Sequence, residues 1–426
     1  MKKIKFRPVI IGLGYVGLPL LMRVAMKKKV IGFDLNKKRV LELKKNYDNT
    51  NEVKSGDIKK YKKNINFTYD KREISSCNLY IITVPTPINK NKEPDLSHVV
   101  EATKLVSNFI KKGDTIIYEC TVYPGVTEKI CGKIISKRNK FKINEDFYLG
   151  YSPERVNPGD KKNTIDKITK VVSGSNEYIA NLIADFYKSI IPAGIFLSKN
   201  IKTAEAAKVI ENIQRDLNIS LINELSVIFN KLDINIYDVL SASNTKWNFL
   251  NFEPGLVGGH CIGVDPYYLT YLSKKIGYNP KLILSGRVQN EKMVDICVNK
   301  LIKKSNEKKI NKKRSKVLFM GLSFKENCPD LRNSKNLEFL LKLSKKFKNI
   351  YAYDPLVDYN KFKSKINKVK FLKYFPKDKF DIIIICIPHN IFLKKTKKKF
   401  HNIMSKNCLI FDLKNKFSFL KPDITL

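Results

Sequence analysis

Near each end of this 426-residue chain, short unbroken apolar runs alternate with stretches of helical spacing. The first series is Pro8 to Ile11, Val30 to Phe33, Leu79 to Val84 and Thr115 to Tyr118. The second is Val317 to Met320, Ile350 to Tyr353, Phe380 to Cys386 and Leu409 to Phe411. A strand that is apolar on both faces has no solvated side, so each series predicts a parallel sheet covered by helices above and below. Between them the pattern changes. From Thr203 to about Asn230, apolar residues recur at helical spacing without proline or glycine, which predicts one long helix able to join domains or pair with a partner. A Gly/Pro-rich stretch, Phe252 to Pro266, follows, and Lys308 to Lys316 reads as a basic linker. The expected fold is therefore α/β, with doubly wound domains at 1–200 and 308–426 joined by a central helical domain at 201–307.

Composition narrows the class. Lys plus Arg is 81 against 40 for Asp plus Glu, a net charge of +41. That excess invites a nucleic-acid partner. Yet the lysines spread through nearly every segment and travel with Asn and Ile, as in Lys60-Tyr61-Lys62-Lys63-Asn64-Ile65-Asn66. These are residues of A/T-rich codons, so compositional drift suffices and no nucleic-acid partner is expected. A hydrophobic fraction of 43% is enough for ordinary cores. No run of roughly 18 apolar residues predicts a membrane span. The eight cysteines form no C-x-x-C and no zinc spacing, which suits reduced thiols in a cytoplasmic protein without a metal site. The segment Met1 to Ala25 has the outline of a signal peptide, but Gly12, Gly14 and Gly17 inside it favour a strand, a turn and a helix.

Four groups of residues could carry chemistry. Gly12-Leu13-Gly14-Tyr15-Val16-Gly17 follows a strand and opens a helix, and Asp34 ends the second strand. Gly12 permits the turn, Gly14 lets backbone approach a pyrophosphate, and Gly17 lets helix and strand pack closely. The helix N-terminus supplies amide donors to phosphates. This predicts a Rossmann-like dinucleotide site. A carboxylate at Asp34 suits the ribose hydroxyls of NAD and repels the extra phosphate of NADP, although Lys37, Lys38 and Arg39 keep NADP open. The second group is the glycine-rich loop Gly255 to Pro266 around Cys261, either an exposed nucleophile or a structural thiol. The third is Lys208, Asn212 and Arg215, which share one helix face beside apolar neighbours and could also be a solvated stripe. The fourth is Ser152-Pro153-Glu154-Arg155 after a strand-like run, a ligand site or a surface ion pair.

Taken together, seven segments resemble the UDP-glucose/GDP-mannose dehydrogenase family in its order along nearly the whole chain. They are IGLGYVGLP (11–19), VPTP (84–87), ECTVYPGVTE (119–128), SPERVNPGD (152–160), AAKVIENIQRDLNIS (206–220), GLVGGHCIGVDPYYL (255–269) and GLSFKENCPDLRNS (321–334). The resemblance implies oxidation of a sugar-nucleotide C6 alcohol to a carboxylate with two NAD, through a thiohemiacetal and a thioester on Cys261. It assigns Lys208 and Asn212 to the C6 oxygen, Asp265 to water ordering or proton transfer, and Thr121 with Glu154 to water positioning. It adds Val16, Asp34, Arg39, Thr86, Thr121 and Arg332 as cofactor contacts beside the glycine turn and its Tyr15. Arg155, Val156, Arg215, His260, Gly263 and Lys325 match substrate contacts.

The same resemblance implies NAD in the first domain, UDP in the last, and a homodimer or higher oligomer formed through the middle. Two departures from the glucose-type pattern point to the branch that takes UDP-N-acetylhexosamines. Pro158 stands where a second acid is usual, and Gly263-Val264 where a lysine is usual. UDP-N-acetylglucosamine is the expected substrate, for surface polysaccharide such as capsule or O-antigen; the galacto and manno epimers and UDP-glucose are the alternatives. A noncatalytic dinucleotide-binding regulator is the alternative of another class.

Overall fold

The computed structural model describes residues 5–155, 163–359 and 368–426. Val156 and Pro158, both singled out from sequence, lie outside the described residues. The chain divides into two compact units, Met1–Glu211 with Tyr267–Tyr278, and Asn212–Pro266 with Asn279–Leu426.

The first unit is built on β1 (Pro8–Ile11), β2 (Val30–Phe33), β3 (Ile65–Thr68), β4 (Leu79–Ile82), β5 (Asp114–Tyr118), β6 (Phe147–Tyr151), β7 (Lys170–Gly174) and β8 (Ile195–Leu197). They form one sheet in the order β3-β2-β1-β4-β5-β6-β7-β8. Pairing is parallel from β3 through β6, with Val9 against Ile31 on one side and Tyr80 on the other. β7 then runs antiparallel to β6. The apolar strands meet the expectation of two covered faces: β1 and β4 are buried throughout. Leu18, Leu21 and Val24 of the helix Gly17–Ala25 join Ile10, Ile81 and Ile117 in one apolar cluster. Asn36 caps the helix Lys37–Lys44 by accepting the Arg39 amide.

The second unit carries β9 (Lys316–Met320), β10 (Asn349–Tyr353), β11 (Val369–Phe371), β12 (Phe380–Ile385) and β13 (Met404–Asp412). Their order is β11-β10-β9-β12-β13, and every pair is parallel. Ser334 caps the helix Lys335–Leu343. Met293, Val294, Cys297 and Leu301 of the long helix Lys281–Glu307 pack into one cluster with Val317, Phe319 and Ile384. In both sheets the order grows outward on either side of a central pair, β1 with β4 and β9 with β12. The carboxyl ends of such a pair are where open α/β sheets take ligands.

The expected long helix is Ile201–Lys231, and the boundary between the units falls inside it at Glu211. Among the described residues no helix is long and apolar enough to cross a membrane.

Candidate active site

The glycine turn after β1 is shaped by contacts that only glycine allows. Gly12 has φ +96°, and its amide donates to the Phe33 carbonyl at 2.9 Å. A Cβ on Gly17 would stand 1.8 Å from the Gly12 carbonyl oxygen, so helix and turn meet backbone to backbone. A Cβ on Gly14 would meet nothing within 4 Å, which leaves open space beside the first turn of the helix. Val16 precedes that helix without a side-chain cap, and first-turn amides have no partner inside a helix. Asp34 is half-buried; its two oxygens accept the Leu13 and Asn36 amides, each at 2.8 Å.

An open cradle, a helix N-terminus and a fixed carboxylate fit a dinucleotide. Tyr15 is half-buried within this turn, and Thr86 and Thr121 are half-buried on the loops that leave β4 and β5. Arg39 is buried under the turn, where Nε donates to the Leu13 carbonyl at 2.9 Å and Nη1 pairs with Asp48 at 2.8 Å. Its described bonds therefore brace the turn. Burial works to raise the Asp48 pKa, but bonds from Thr50 and Val53 and the Arg39 charge outweigh it and hold the carboxylate ionised.

Glu154, three residues after β6, is buried. One oxygen accepts the Arg155 amide at 2.6 Å and the other lies 3.4 Å from Lys170 Nζ. The Arg155 guanidinium turns to Glu211 at 2.9 Å. The Thr121 loop is pinned farther on: Glu205, buried on the long helix, accepts the Gly125 amide at 2.5 Å and the Thr127 amide at 2.9 Å. A cavity of about 1270 Å³ lined by Lys5, Arg7, Lys27 and Lys63 sits at the amino ends of β1–β3, the end opposite to the glycine turn.

The cysteine loop belongs to the second unit. Of eight free cysteines, seven are buried and Cys261 is exposed. Its carbonyl accepts the amides of Val264 at 3.0 Å and Asp265 at 2.8 Å, which winds the chain into the helix Asp265–Lys275. Cys261 therefore precedes that helix by one turn. Asp265 is buried, and its carboxylate accepts from Asn212 Nδ2 at 2.5 Å. The glycines before the cysteine serve packing. A Cβ on Gly258 would lie 2.6 Å from the Asn333 carbonyl, and one on Gly259, at φ +87°, 2.6 Å from the Phe324 ring. Gly263 differs: a Cβ there would meet nothing closer than 3.8 Å.

His260 Nε2 lies 3.1 Å from Asp330, which also accepts from Arg332 Nη2 at 2.7 Å. Burial acts to raise the Asp330 pKa, yet the bonds from His260 and Arg332 hold it well below the usual carboxylate range. Lys208 is buried, and Arg215 and Lys325 are half-buried.

The structure thus brings together Asn212 with Asp265, and His260 with Arg332 through Asp330. Glu154, expected to position water with Thr121, bonds the Arg155 amide and lies 3.4 Å from Lys170. Two supports went unread in the sequence. Asn223 grips both backbone groups of Gly255, at 2.8 and 3.0 Å, and bonds Asn290. Arg287, fully buried, pairs with Asp216 at 2.6 Å and Glu291 at 2.5 Å. The only sequence signal was polar residues at apolar positions of two helices.

Three family models cover the chain. The NAD binding domain of the UDP-glucose/GDP-mannose dehydrogenase family matches residues 6–191, its central domain 202–292 and its UDP binding domain 318–418. A UDP-N-acetyl-D-glucosamine 6-dehydrogenase of Salmonella typhi is 45% identical over 422 residues, 98% of each chain. One of Pseudomonas aeruginosa is 44% identical over 428 residues, 100% of each. The solved UDP-D-ManNAc dehydrogenase of Pyrococcus horikoshii superimposes with a TM-score of 0.85 at 28% identity, covering 96% of each chain.

Proposed function

This chain belongs to the UDP-glucose/GDP-mannose dehydrogenase family, an NAD-dependent oxidoreductase family, and we propose that its substrate is UDP-N-acetyl-D-glucosamine, oxidised at C6 to the uronate. The names of the two relatives above support that choice of sugar. The overall change converts a primary alcohol and a water into a carboxylate, with two NAD reduced and three protons released. NAD, when bound, takes up the hydride in each oxidation. The turn Gly12–Gly17 and Asp34 would hold it, with Thr86, Thr121 and Arg332 as further contacts.

The remaining roles fall to the chain. Cys261 adds as thiolate to the C6 aldehyde and keeps the carbon covalently bound until water releases the acid. Lys208 and Asn212 stabilise the developing oxyanion at C6, an effect worth on the order of 3 kcal/mol for one well-placed donor. Asp265, bonded to Asn212, fixes the orientation of that amide and takes part in proton transfer. Glu154 and Thr121 place the water. Arg155, Arg215, His260 and Lys325 hold the diphosphate and sugar, and the open space at Gly263 leaves room for a bulky substituent.

The domains of this reading are 1–200 for NAD, 201–307 for helix pairing, and 308–426 for UDP. Pairing of two copies is supported by exposed Leu221, Ile228 and Leu232 at helical spacing on one element and its end. The product serves surface polysaccharide synthesis in the cytoplasm.

The observation that carries this reading is Cys261, the exposed cysteine, one turn ahead of a helix whose first residue is bonded to Asn212. The test is NADH yield with a panel of UDP-sugars. Two NADH per UDP-N-acetylglucosamine are expected. Cys261→Ser should cut uronate formation by roughly 10³-fold or more. Uronate formed by that variant at the normal rate would sink the covalent route, and equal turnover of UDP-glucose would sink the choice of sugar.

A further inference from the structure

One buried cation of the first unit has no part in the steps above. Lys170 opens β7 with its side chain 4% exposed. Its Nζ lies 2.9 Å from one Glu119 oxygen, 3.4 Å from Glu154 and 3.5 Å from the Pro153 carbonyl. Glu119 extends from the end of β5 and is fully buried. Tyr187, on the helix Glu177–Lys188, donates its hydroxyl to the other Glu119 oxygen, and its ring lies 5.1 Å from the Lys170 ammonium. Among the described residues, the charged and titratable groups around Glu154 include Lys170 from β7, Glu119 just after β5, Tyr187 from that helix, and its neighbour Arg155, which is paired with Glu211.

Two carboxylates share one ammonium here. A carboxylate buried without a cation takes up a proton, and a neutral acid cannot accept one from water. Burial lowers the Lys170 pKa, but Glu119 and Glu154 outweigh it, so the ammonium stays charged. Burial pushes Glu119 up despite Lys170.

We propose that Lys170 is a positioning residue for Glu154, aiming that carboxylate through the 3.4 Å contact, while Glu119, at 2.9 Å, competes with it for the same ammonium. This rests on Glu154 as the water-positioning group. Lys170 touches no reacting atom; it acts through Glu154.

The geometry gives two substitutions opposite signs. Lys170→Met removes the cation shared by Glu154 and Glu119. The acidic limb of the kcat–pH profile should move up by about one pH unit or more, and kcat at neutral pH should fall on the order of tenfold. Glu119→Gln leaves Glu154 as the remaining carboxylate on Lys170, so the acidic limb should move to lower pH. Lys170→Arg should restore most of the profile, and the KM for NAD should change by less than about twofold in all three.

All are measured on the full-length enzyme with UDP-N-acetylglucosamine and NAD, with Glu154→Gln alongside. Should Lys170→Met fail to fold, Glu119→Gln still decides. If Glu154→Gln loses activity while neither folded variant moves the acidic limb, Lys170 is structural only and the proposal is wrong. If Glu154→Gln keeps full kcat, the reading of Glu154 itself has failed and the proposal falls with it.

Discussion

The turn that opens each sheet shares one backbone pattern, and the two copies differ in how far their acid is occupied. In the first unit Gly12, at φ +96°, donates to the Phe33 carbonyl at 2.9 Å, and the Leu13 amide donates to Asp34 at 2.8 Å. In the second, Gly321, at φ +82°, donates to the Tyr353 carbonyl at 3.1 Å, and the Leu322 amide donates to Asp354 at 2.8 Å. Both acids end the second strand of their sheet. Asp34 stays half-buried, with open space at Gly14 nearby in the turn. Asp354 is sealed: its side chain is fully buried and also accepts the Ser323 amide at 3.1 Å, the Leu356 amide at 3.0 Å and His389 at 3.2 Å. One scaffold thus yields an acid still able to meet a ribose and an acid occupied within the fold. A nucleotide on the second sheet would have to be held by groups other than this acid.

Removing each acid is the sharpest way to break that contrast. Asp354→Ala would leave two or more buried amides and His389 without their acceptor, at about 1–3 kcal/mol for each orphaned group. The second sheet should lose on the order of 3 kcal/mol or more, read by hydrogen exchange of the β9 and β10 amides. Asp34→Ala should cost the first sheet about 1 kcal/mol, yet, on its proposed role at the ribose hydroxyls, weaken NAD binding roughly 10- to 100-fold. Calorimetric titration with NAD measures it. Equal destabilisation by the two substitutions, with NAD binding intact in Asp34→Ala, would erase the distinction between the turns.

The parts legible from sequence are those where burial and composition coincide. β1, β4, β5, β9, β10 and β12 are apolar on both faces and fall within one or two residues of the runs read from sequence. The long helix, expected from Thr203, begins at Ile201. β3 was not read because Ile65-Asn66-Phe67-Thr68 is an edge strand with polar residues between its apolar ones. β13 begins at Met404 rather than Leu409 because its early residues Lys406 and Asn407 face water.

At the proposed site, the motifs singled out Cys261, Asp34 and the Asn212 face, but not the packing around Lys170, Arg39 and the loop glycines. Lys170 is one lysine against a background rich in lysine, and only the sheet partner that buries it sets it apart. Arg39 lay in a basic run that suggested phosphate, whereas its described bonds go to Leu13, Asn49 and Asp48. The glycines at 258 and 259 admit Asn333 and Phe324, contacts far apart in sequence that the loop's composition does not reveal.

The smallest expected effect distinguishes the buried acids by sign. Burial acts to raise the Asp354 pKa, but His389 and the Leu356 and Leu322 amides outweigh it, so the folded value lies below the ordinary one. Such a group stabilises fully above its unfolded pKa of about 3.9, and that contribution is lost as pH falls toward the folded value. Glu205 is the reverse case in the first unit. Burial raises its pKa despite the Gly125 and Thr127 amides, so the closed form binds the proton more tightly and opening becomes harder as pH falls. Between pH 5 and 3, exchange rates corrected for intrinsic chemistry should therefore diverge. Protection of the Leu322 and Ser323 amides should fall, by up to about tenfold per unit of pKa difference, while protection of Gly125 and Thr127 should hold or rise. Asp354→Asn should flatten the first trend and leave the second. A parallel loss at both sites would mean that global acid unfolding, rather than the sealed carboxylate, governs the turn after β9.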